Sequence, residues 1–203
     1  MARPKSDIQH RIVVAARESF VSEGVDGASL RTIAKGAGTN VGMIYYYFKT
    51  KDDLFLAVVE DAYGALIADL ETAMGKGETT ADKLRQAFVR IGHMSDLELT
   101  TMRLVVREAL GSTARLERLI PRFMTGHVGL LLRTIGEGIG AGALRDDMPP
   151  PVLMMTAFAM GLAPQVVRRV AGDRLPIGGI GVEPLADLSV RLWMEGAGSR
   201  KKP

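Results

Sequence analysis

Cysteine is absent from the 203 residues, so the chain can carry no disulfide framework and no thiolate-bound zinc or iron–sulfur centre. That absence fits a reducing cytoplasm. Histidine is scarce: His10, His93 and His127 lie far apart, without metal-ligand spacing, and no metal site is expected. No paired-carboxylate, Ser–His–Asp or Cys–His constellation can be nominated, so neither an enzyme nor a cofactor is expected. The opening MARPKSDIQHR lacks the apolar core of a signal peptide. Apolar runs of about 18 residues free of charge are missing too, so no membrane span is expected. The most apolar stretch, PVLMMTAFAMGLAPQVV, reads about a turn short of a span and contains Pro164. Strand signatures are lacking, because no alternating β-branched run is flanked by hairpin turns.

What is present is helical periodicity. Ile8, Ile12, Ala15, Ala16, Ser19 and Phe20 recur at spacings of three and four, and Gly24 is placed to stop that helix. Short helices follow from Ser29 and from about Asn40 to Phe48, and a long one opens at residues 50–51 with acids in its first turn. Further helices are predicted near 80–95, 97–112, 115–140, 151–171 and 183–197. The fold class is therefore all-α. GEGIGAG at 136–142 resembles a phosphate-binding glycine loop only loosely; it follows no strand, and it reads as the end of a helix.

Charge is uneven along the chain. The net charge is +3 overall, but residues 1–51 carry eight Lys/Arg against four Asp/Glu, and the remainder carries eighteen against nineteen. A small N-terminal unit that meets a polyanion, joined to a neutral helical unit, accounts for this.

The segment SLRTIAKGAGTNVGMIYYYF, residues 29–48, has the parts of a helix-turn-helix. Ile33, Ala37 and Ile44 supply an apolar face, Ala34 is small where the helices cross, and Gly38 can take positive φ in the turn. With Ile44 and Phe48 buried, Asn40, Val41, Met43, Tyr46 and Tyr47 turn outward and Tyr45 lies at the border. Three of the four tyrosines thus stand together, where rings can meet thymine methyls and hydroxyls can meet phosphates. Lys51, Arg31 and Ser29 are placed to flank a groove.

Residues from about 7 to 60 resemble the DNA-binding domain of the TetR family of transcriptional repressors, through ESFVSEG, SLRTIAKGAG and MIYYYFKTKDDLF. The resemblance implies an N-terminal three-helix helix-turn-helix domain over 1–50 and a helical ligand-binding and dimerisation domain over 51–203. By position it implies that Arg31 contacts phosphate or a base edge, that Asn40, Val41, Gly42, Met43 and Tyr46 line the groove, and that Tyr45, Tyr47 and Lys51 hold the backbone. Thr39 stands where valine is frequent and is expected to cap the recognition helix; Tyr47 stands where histidine is frequent.

The resemblance further implies a double-stranded DNA operator, a homodimer and a small-molecule effector as partners, with release by linkage: the effector favours a state whose recognition helices miss adjacent major grooves. Met94, Met102, Arg103, Arg107, Phe123, His127, Met155 and Phe158 are the candidates to line the effector pocket. Ala157, Gly161, Leu185, Leu188, Leu192 and Trp193 are the candidates for the dimer interface, the small pair admitting another backbone. The competing expectations are a ligand-independent architectural DNA-binding protein and an all-α enzyme.

Overall fold

Ile12, Ala16 and Phe20, four residues apart, are completely buried; they make one side of the first helix the floor of the N-terminal core. The computed structural model describes residues 5–198. Among these it holds α1 (Lys5–Gly27), α2 (Leu30–Gly36), α3 (Val41–Tyr47), α4 (Lys51–Met74), α5 (Thr80–Gly92), α6 (Asp96–Gly111), α7 (Thr113–Thr125), α8 (His127–Gly140), α9 (Pro150–Ala171) and α10 (Val182–Ala197). Two short 3₁₀ turns, Gly172–Arg174 and Pro176–Gly179, precede α10. No strand is formed among the described residues, apart from one isolated bridge between Leu144 and Gly198.

The helices group into two compact units. One comprises residues 1–66 and 95–121, the other 67–94 and 122–203. The chain therefore does not divide at a single cut near residue 50: α6 and most of α7 group with the N-terminal helices. The physical cause is a set of ion pairs that runs from α6 and α7 to α1 and α4, described below.

In the first unit Ile33, Ile44, Leu54, Phe55 and Val58 close over the α1 stripe, and the Phe20 and Phe55 rings meet edge to face at 6.4 Å. Gly24 takes φ 79°, ψ 165° and kinks α1 rather than ending it. A non-glycine residue would be strained at that φ. The last turn, 25–27, then leads into α2.

In the second unit α5, α8, α9 and α10 pack on one another, with Leu84, Phe88, Ile135, Leu153, Ala157 and Ala186 at the centre. The predicted helix 115–140 is two helices, broken at Gly126 (φ −103°, ψ −124°). The apolar period runs through the break unchanged, so only the glycine signals it. The expected helix end in GEGIGAG is present: α8 stops at Gly140, Gly142 adopts φ 71°, and the N–H groups of Ala143 and Leu144 both donate to the Gly138 carbonyl. α9 runs 22 residues, about a turn beyond the apolar stretch read from sequence, and is long and apolar enough to cross a bilayer by length and composition alone.

Four of the six residues expected at a dimer interface face inward. Ala157, Leu185 and Trp193 are buried, and the Trp193 indole donates to Thr156 Oγ1 at 3.0 Å. Gly161 is buried against the Phe88 ring, so its small size admits an aromatic side chain of the same unit rather than a second backbone. Leu188 and Leu192 remain 42% and 59% exposed. They belong to an outer apolar stripe with Val152, Met155, Val167 and Val170 of α9.

Candidate nucleic-acid interface

α2 and α3 are each only two turns long, too short to persist alone; tertiary burial and caps hold them. Ile33, Ala34, Ala37 and Ile44 are buried where they meet. Gly38 takes φ 61° in the turn, and the Thr39 N–H donates to the Ala34 carbonyl at 2.9 Å. Arg11 of α1 reaches across and donates to the Ala37 carbonyl at 2.7 Å, closing the C-terminal end of α2. Sequence does not reveal this guanidinium, because its partner is a main-chain oxygen 26 residues away.

The cap of α3 is Asn40, whose side-chain oxygen accepts the Met43 N–H at 3.0 Å. Thr39 therefore does not cap the recognition helix, and Ser29, at the N-cap position of α2, makes no side-chain cap bond. Asn40 keeps its amide N–H₂ for an outside acceptor. Gly42 is exposed, and a Cβ there would stand 3.1 Å from Asn40 Oδ1, so glycine leaves the cap undisturbed.

The three tyrosines separate as a 100° advance per residue requires. Tyr45 and Tyr46 are 56% and 65% exposed, and Tyr45 is thus not a core residue. Tyr47 is half-buried, with its ring edge to face with Tyr46 at 5.1 Å and tilted against Phe48 at 6.3 Å. Ser29 and Arg31 are exposed on α2; Val41 and Met43 are half-buried on α3. Together these residues form one solvent-facing surface along α2 and α3.

Lys51 is occupied differently from its expected role. Its ammonium donates to the Asp26 carbonyl at 3.0 Å and the Ala28 carbonyl at 2.9 Å, where α1 runs out. At the same turn Thr50 and Asp53 cap one another: the Thr50 N–H donates to Asp53 Oδ2 at 2.9 Å and the Asp53 N–H to Thr50 Oγ1 at 3.0 Å.

Behind this surface lies a charged cluster that sequence reading missed. Arg115 of α7 is buried and donates to Glu108 Oε2 (2.8 Å), Asp52 Oδ1 (3.1 Å) and both carboxylate oxygens of Asp26. Glu108, also buried, accepts the Val25 N–H at 3.3 Å through Oε1. Arg107 donates to the Phe20 and Val21 carbonyls in the turn before the Gly24 kink. Arg118 pairs with Asp53 at 2.5 Å. Arg115 holds the Asp26 carboxyl below the usual range, and Arg118, then Thr50, do the same for Asp53. Arg107 is thus a clamp on α1 rather than an isolated pocket cation. The seven-residue spacing of Glu108 and Arg115 is the one clue, two turns of helix, but a turn at Ser112 intervenes.

An open cleft of about 370 Å³ runs beside this cluster, lined by Gly24, Asp26, Glu108, Gly111 and Arg115 among others. Of the eight expected pocket residues, only Arg107 lines it. Met102 and Arg103 also belong to the first unit, whereas Met94, Phe123, His127, Met155 and Phe158 belong to the second. Three of those five come together: the His127 ring stands 5.2 Å from Phe123 and is stacked at 5.2 Å on Phe158. Met94 is buried, and Met155 is 65% exposed on the outer stripe of α9.

Burial, helped by the nearby Arg122 charge, pushes the His127 imidazole down to about 4. A histidine whose folded value lies below its unfolded one stays neutral in the native state while the unfolded chain takes up a proton. Stability is therefore expected to fall as pH drops from about 6.5 to about 4, with a slope approaching roughly 1.4 kcal/mol per pH unit. Urea unfolding across this range checks it; His127→Phe should flatten the slope, and an unchanged slope refutes the assignment.

Residues 12–58 match the family model described as bacterial regulatory proteins, tetR family. The chain is 29% identical over 140 residues to the Bacillus subtilis fatty acid metabolism regulator protein, covering 68% of this chain and 71% of that one. It is 30% identical over 140 residues to the HTH-type transcriptional repressor NicS of Pseudomonas putida, covering 68% of this chain and 66% of that one. Among solved structures, Bacillus subtilis FadR in complex with stearoyl-CoA superposes with a TM-score of 0.73 at 22% identity, over 92% of this chain and 98% of that one.

Proposed function

Because the chain belongs to the TetR family of bacterial transcriptional regulators, we propose that it is a repressor, not an enzyme, which binds a palindromic operator as a homodimer and is released by a small molecule. The observation that carries this reading is the α2–α3 pair, buried at Ile33 and Ile44 while Arg31, Asn40, Gly42, Tyr45 and Tyr46 stay exposed. A second helix presented in this way enters a major groove by its N-terminal residues. Ser29, Arg31 and Tyr47 then meet sugar and phosphate, and Asn40, Val41, Met43 and Tyr46 meet base edges.

One such unit binds DNA weakly, and two bind half-sites about 34–36 Å apart. The outer stripe Val152, Met155, Leu188 and Leu192 is the surface for the second protomer, as burial in a four-helix bundle would spare its apolar side chains from water. In this reading α1–α3 are the DNA-binding helices, α6 and most of α7 support them within the first unit, and the second unit carries effector binding and dimerisation, acting in the cytoplasm with no membrane role. The effector is a lipophilic acyl compound: a Bacillus subtilis relative is named for fatty acid metabolism and a solved neighbour from the same species holds stearoyl-CoA, and Phe123, His127 and Phe158 offer an aromatic, uncharged surface. It acts through its differential affinity for two states, typically ~1–3 kcal/mol.

The test is selection of duplexes from a random pool by the full-length protein, followed by anisotropy titration with and without stearoyl-CoA. Tyr46→Ala is expected to relax the preference at its base step by about 1–3 kcal/mol. Absence of any sequence preference in the parent protein at physiological salt defeats the reading. A sedimentation mass of one protomer at micromolar concentration removes the dimer from it.

A further inference from the structure

The helix α3, Val41–Tyr47, carries no charged side chain. In a major groove, guanine is ordinarily gripped at O6 and N7 by an Arg or Lys, adenine by an Asn or Gln amide, and cytosine by an acid. None of these types follows Asn40 on the helix. Asn40 is itself partly committed: its side-chain oxygen is aimed at the Met43 N–H, 3.0 Å away, which leaves the N–H₂ to donate. The basic side chains lie off α3. Arg31 and Lys35 are exposed on α2, which crosses the backbone in a unit of this kind, and Lys49 and Lys51 follow the C-terminal end of α3, whereas N-terminal residues reach the base edges.

What α3 brings to a groove is hydrocarbon, thioether and aromatic ring. Val41 and Met43 are half-exposed in its first turn, with the exposed Gly42 between them. Tyr46 is the neighbour of both Gly42 and Met43, four and three residues on. Its exposed ring is braced edge to face by Tyr47 at 5.1 Å, and Tyr47 leans in turn on the buried Phe48. The Tyr46 ring therefore loses little rotamer freedom on meeting a duplex. Apolar side chains gain by covering an apolar group, and the major groove presents one on its base edges, the C5-methyl of thymine.

From this we infer that the recognition helix selects its operator by apolar contact with thymine C5-methyl groups, through Val41, Met43 and the Tyr46 ring, and not by a bidentate hydrogen bond to a base. The inference rests on the DNA-binding reading above and names the base chemistry which that reading leaves open. Half-sites then carry thymine at the steps these side chains cover, and the methyl group separates tight duplexes from weak ones. The same methyl occurs on 5-methylcytosine, where the neighbouring polar group is the N4 donor instead of the O4 acceptor of thymine.

The experiment takes a duplex selected from a random pool by the full-length protein and replaces its thymines one position at a time, in both half-sites. Thymine, uracil, 5-methylcytosine and cytosine, each with its Watson–Crick partner, are compared by anisotropy at fixed salt. At a covered step, uracil is expected to bind about fourfold more weakly than thymine per methyl removed, or about 15-fold with both half-sites changed. Cytosine is expected to bind more weakly than 5-methylcytosine by the same factor. Val41→Ala and Met43→Ala are each expected to abolish the thymine–uracil difference at one step and to leave the salt dependence unaltered, because no phosphate contact is lost. The uracil series on the parent protein decides the inference whether or not the variants fold. Equal binding of thymine and uracil at every position overturns it, and so does a selected half-site without thymine, or full uracil discrimination in both folded variants. Failure of the parent protein to select any sequence is a different result, which defeats the DNA-binding reading and this inference with it.

Discussion

Arg115→Ala is expected to destabilise the protein by about 3 kcal/mol, more than any other single truncation of a charged residue in the first unit. The magnitude comes from one of its three carboxylate partners. Glu108 is 7% exposed and Arg115 8%, so truncation of the guanidinium leaves a carboxylate with little water, held only by the Val25 N–H and by Arg107 Nε, whose side chain is itself 45% exposed. Asp26 and Asp52 add little, since their side chains are 85% and 38% exposed and solvent screens both. The damage is not confined to a contact. Glu108 also holds the Val25 N–H just past the Gly24 kink, so a displaced Glu108 frees the segment that leads into α2.

Urea unfolding followed by circular dichroism at neutral pH measures the loss. The double variant Arg115→Met with Glu108→Gln is expected to regain most of it, because an uncharged amide keeps an acceptor for Val25 while the desolvated charge disappears. A single-variant loss under about 1 kcal/mol, or a double variant worse than the single, contradicts this account.

Gly161→Ala is expected to cost about 2 kcal/mol net. In a helix interior alanine would ordinarily be better than glycine by about 1 kcal/mol. Here the added methyl falls inside the van der Waals envelope of Phe88 ring carbons Cδ1, Cε1 and Cζ. Phe88 is 1% exposed and surrounded by the α5–α9–α10 core, so it has nowhere to move, and overpacking of this kind costs about 3 kcal/mol. For a chain of this length the melting temperature should fall by about 4–8 °C. With Phe88→Leu in place, the same Gly161→Ala change should cost much less; equal costs in the two backgrounds would show that the ring is not the obstacle.

These two sites mark the boundary of what sequence reading reaches. Gly161 with Ala157 is legible as a close approach, because small residues four apart on an apolar helix leave a flat surface. What approaches is not legible, since a partner helix and the Phe88 ring leave the same pattern in the sequence. Leu185 and Leu188 show the same difficulty. Both sit on the apolar side of α10, yet one is 6% exposed and the other 42%, because a helix that docks on its own unit and bears an outer apolar stripe is apolar around most of its circumference. Met155 reads as pocket lining for the same reason and stands on the outside. The helix-turn-helix is legible nearly residue by residue, Gly38 in its turn and Ile44 and Phe48 inward, because every requirement is local.

Composition, period and spacing thus determined the all-α fold, the N-terminal excess of basic residues and the inward side of α2 and α3, though Tyr45 stands fully outward and Val41, Met43 and Tyr47 are only half-exposed. Short-range rules govern these: 3.6-residue periodicity, caps and a glycine at positive φ. Tertiary structure alone decided that α6 and most of α7 belong with the N-terminal helices, that Asn40 rather than Thr39 caps α3, and that Lys51 and Arg115 are tied to the α1–α2 corner. Each depends on partners far apart in the chain, 89 residues for Arg115 and Asp26, or on main-chain oxygens that every residue possesses. An electrostatic partnership of that range leaves no periodicity for a sequence to display.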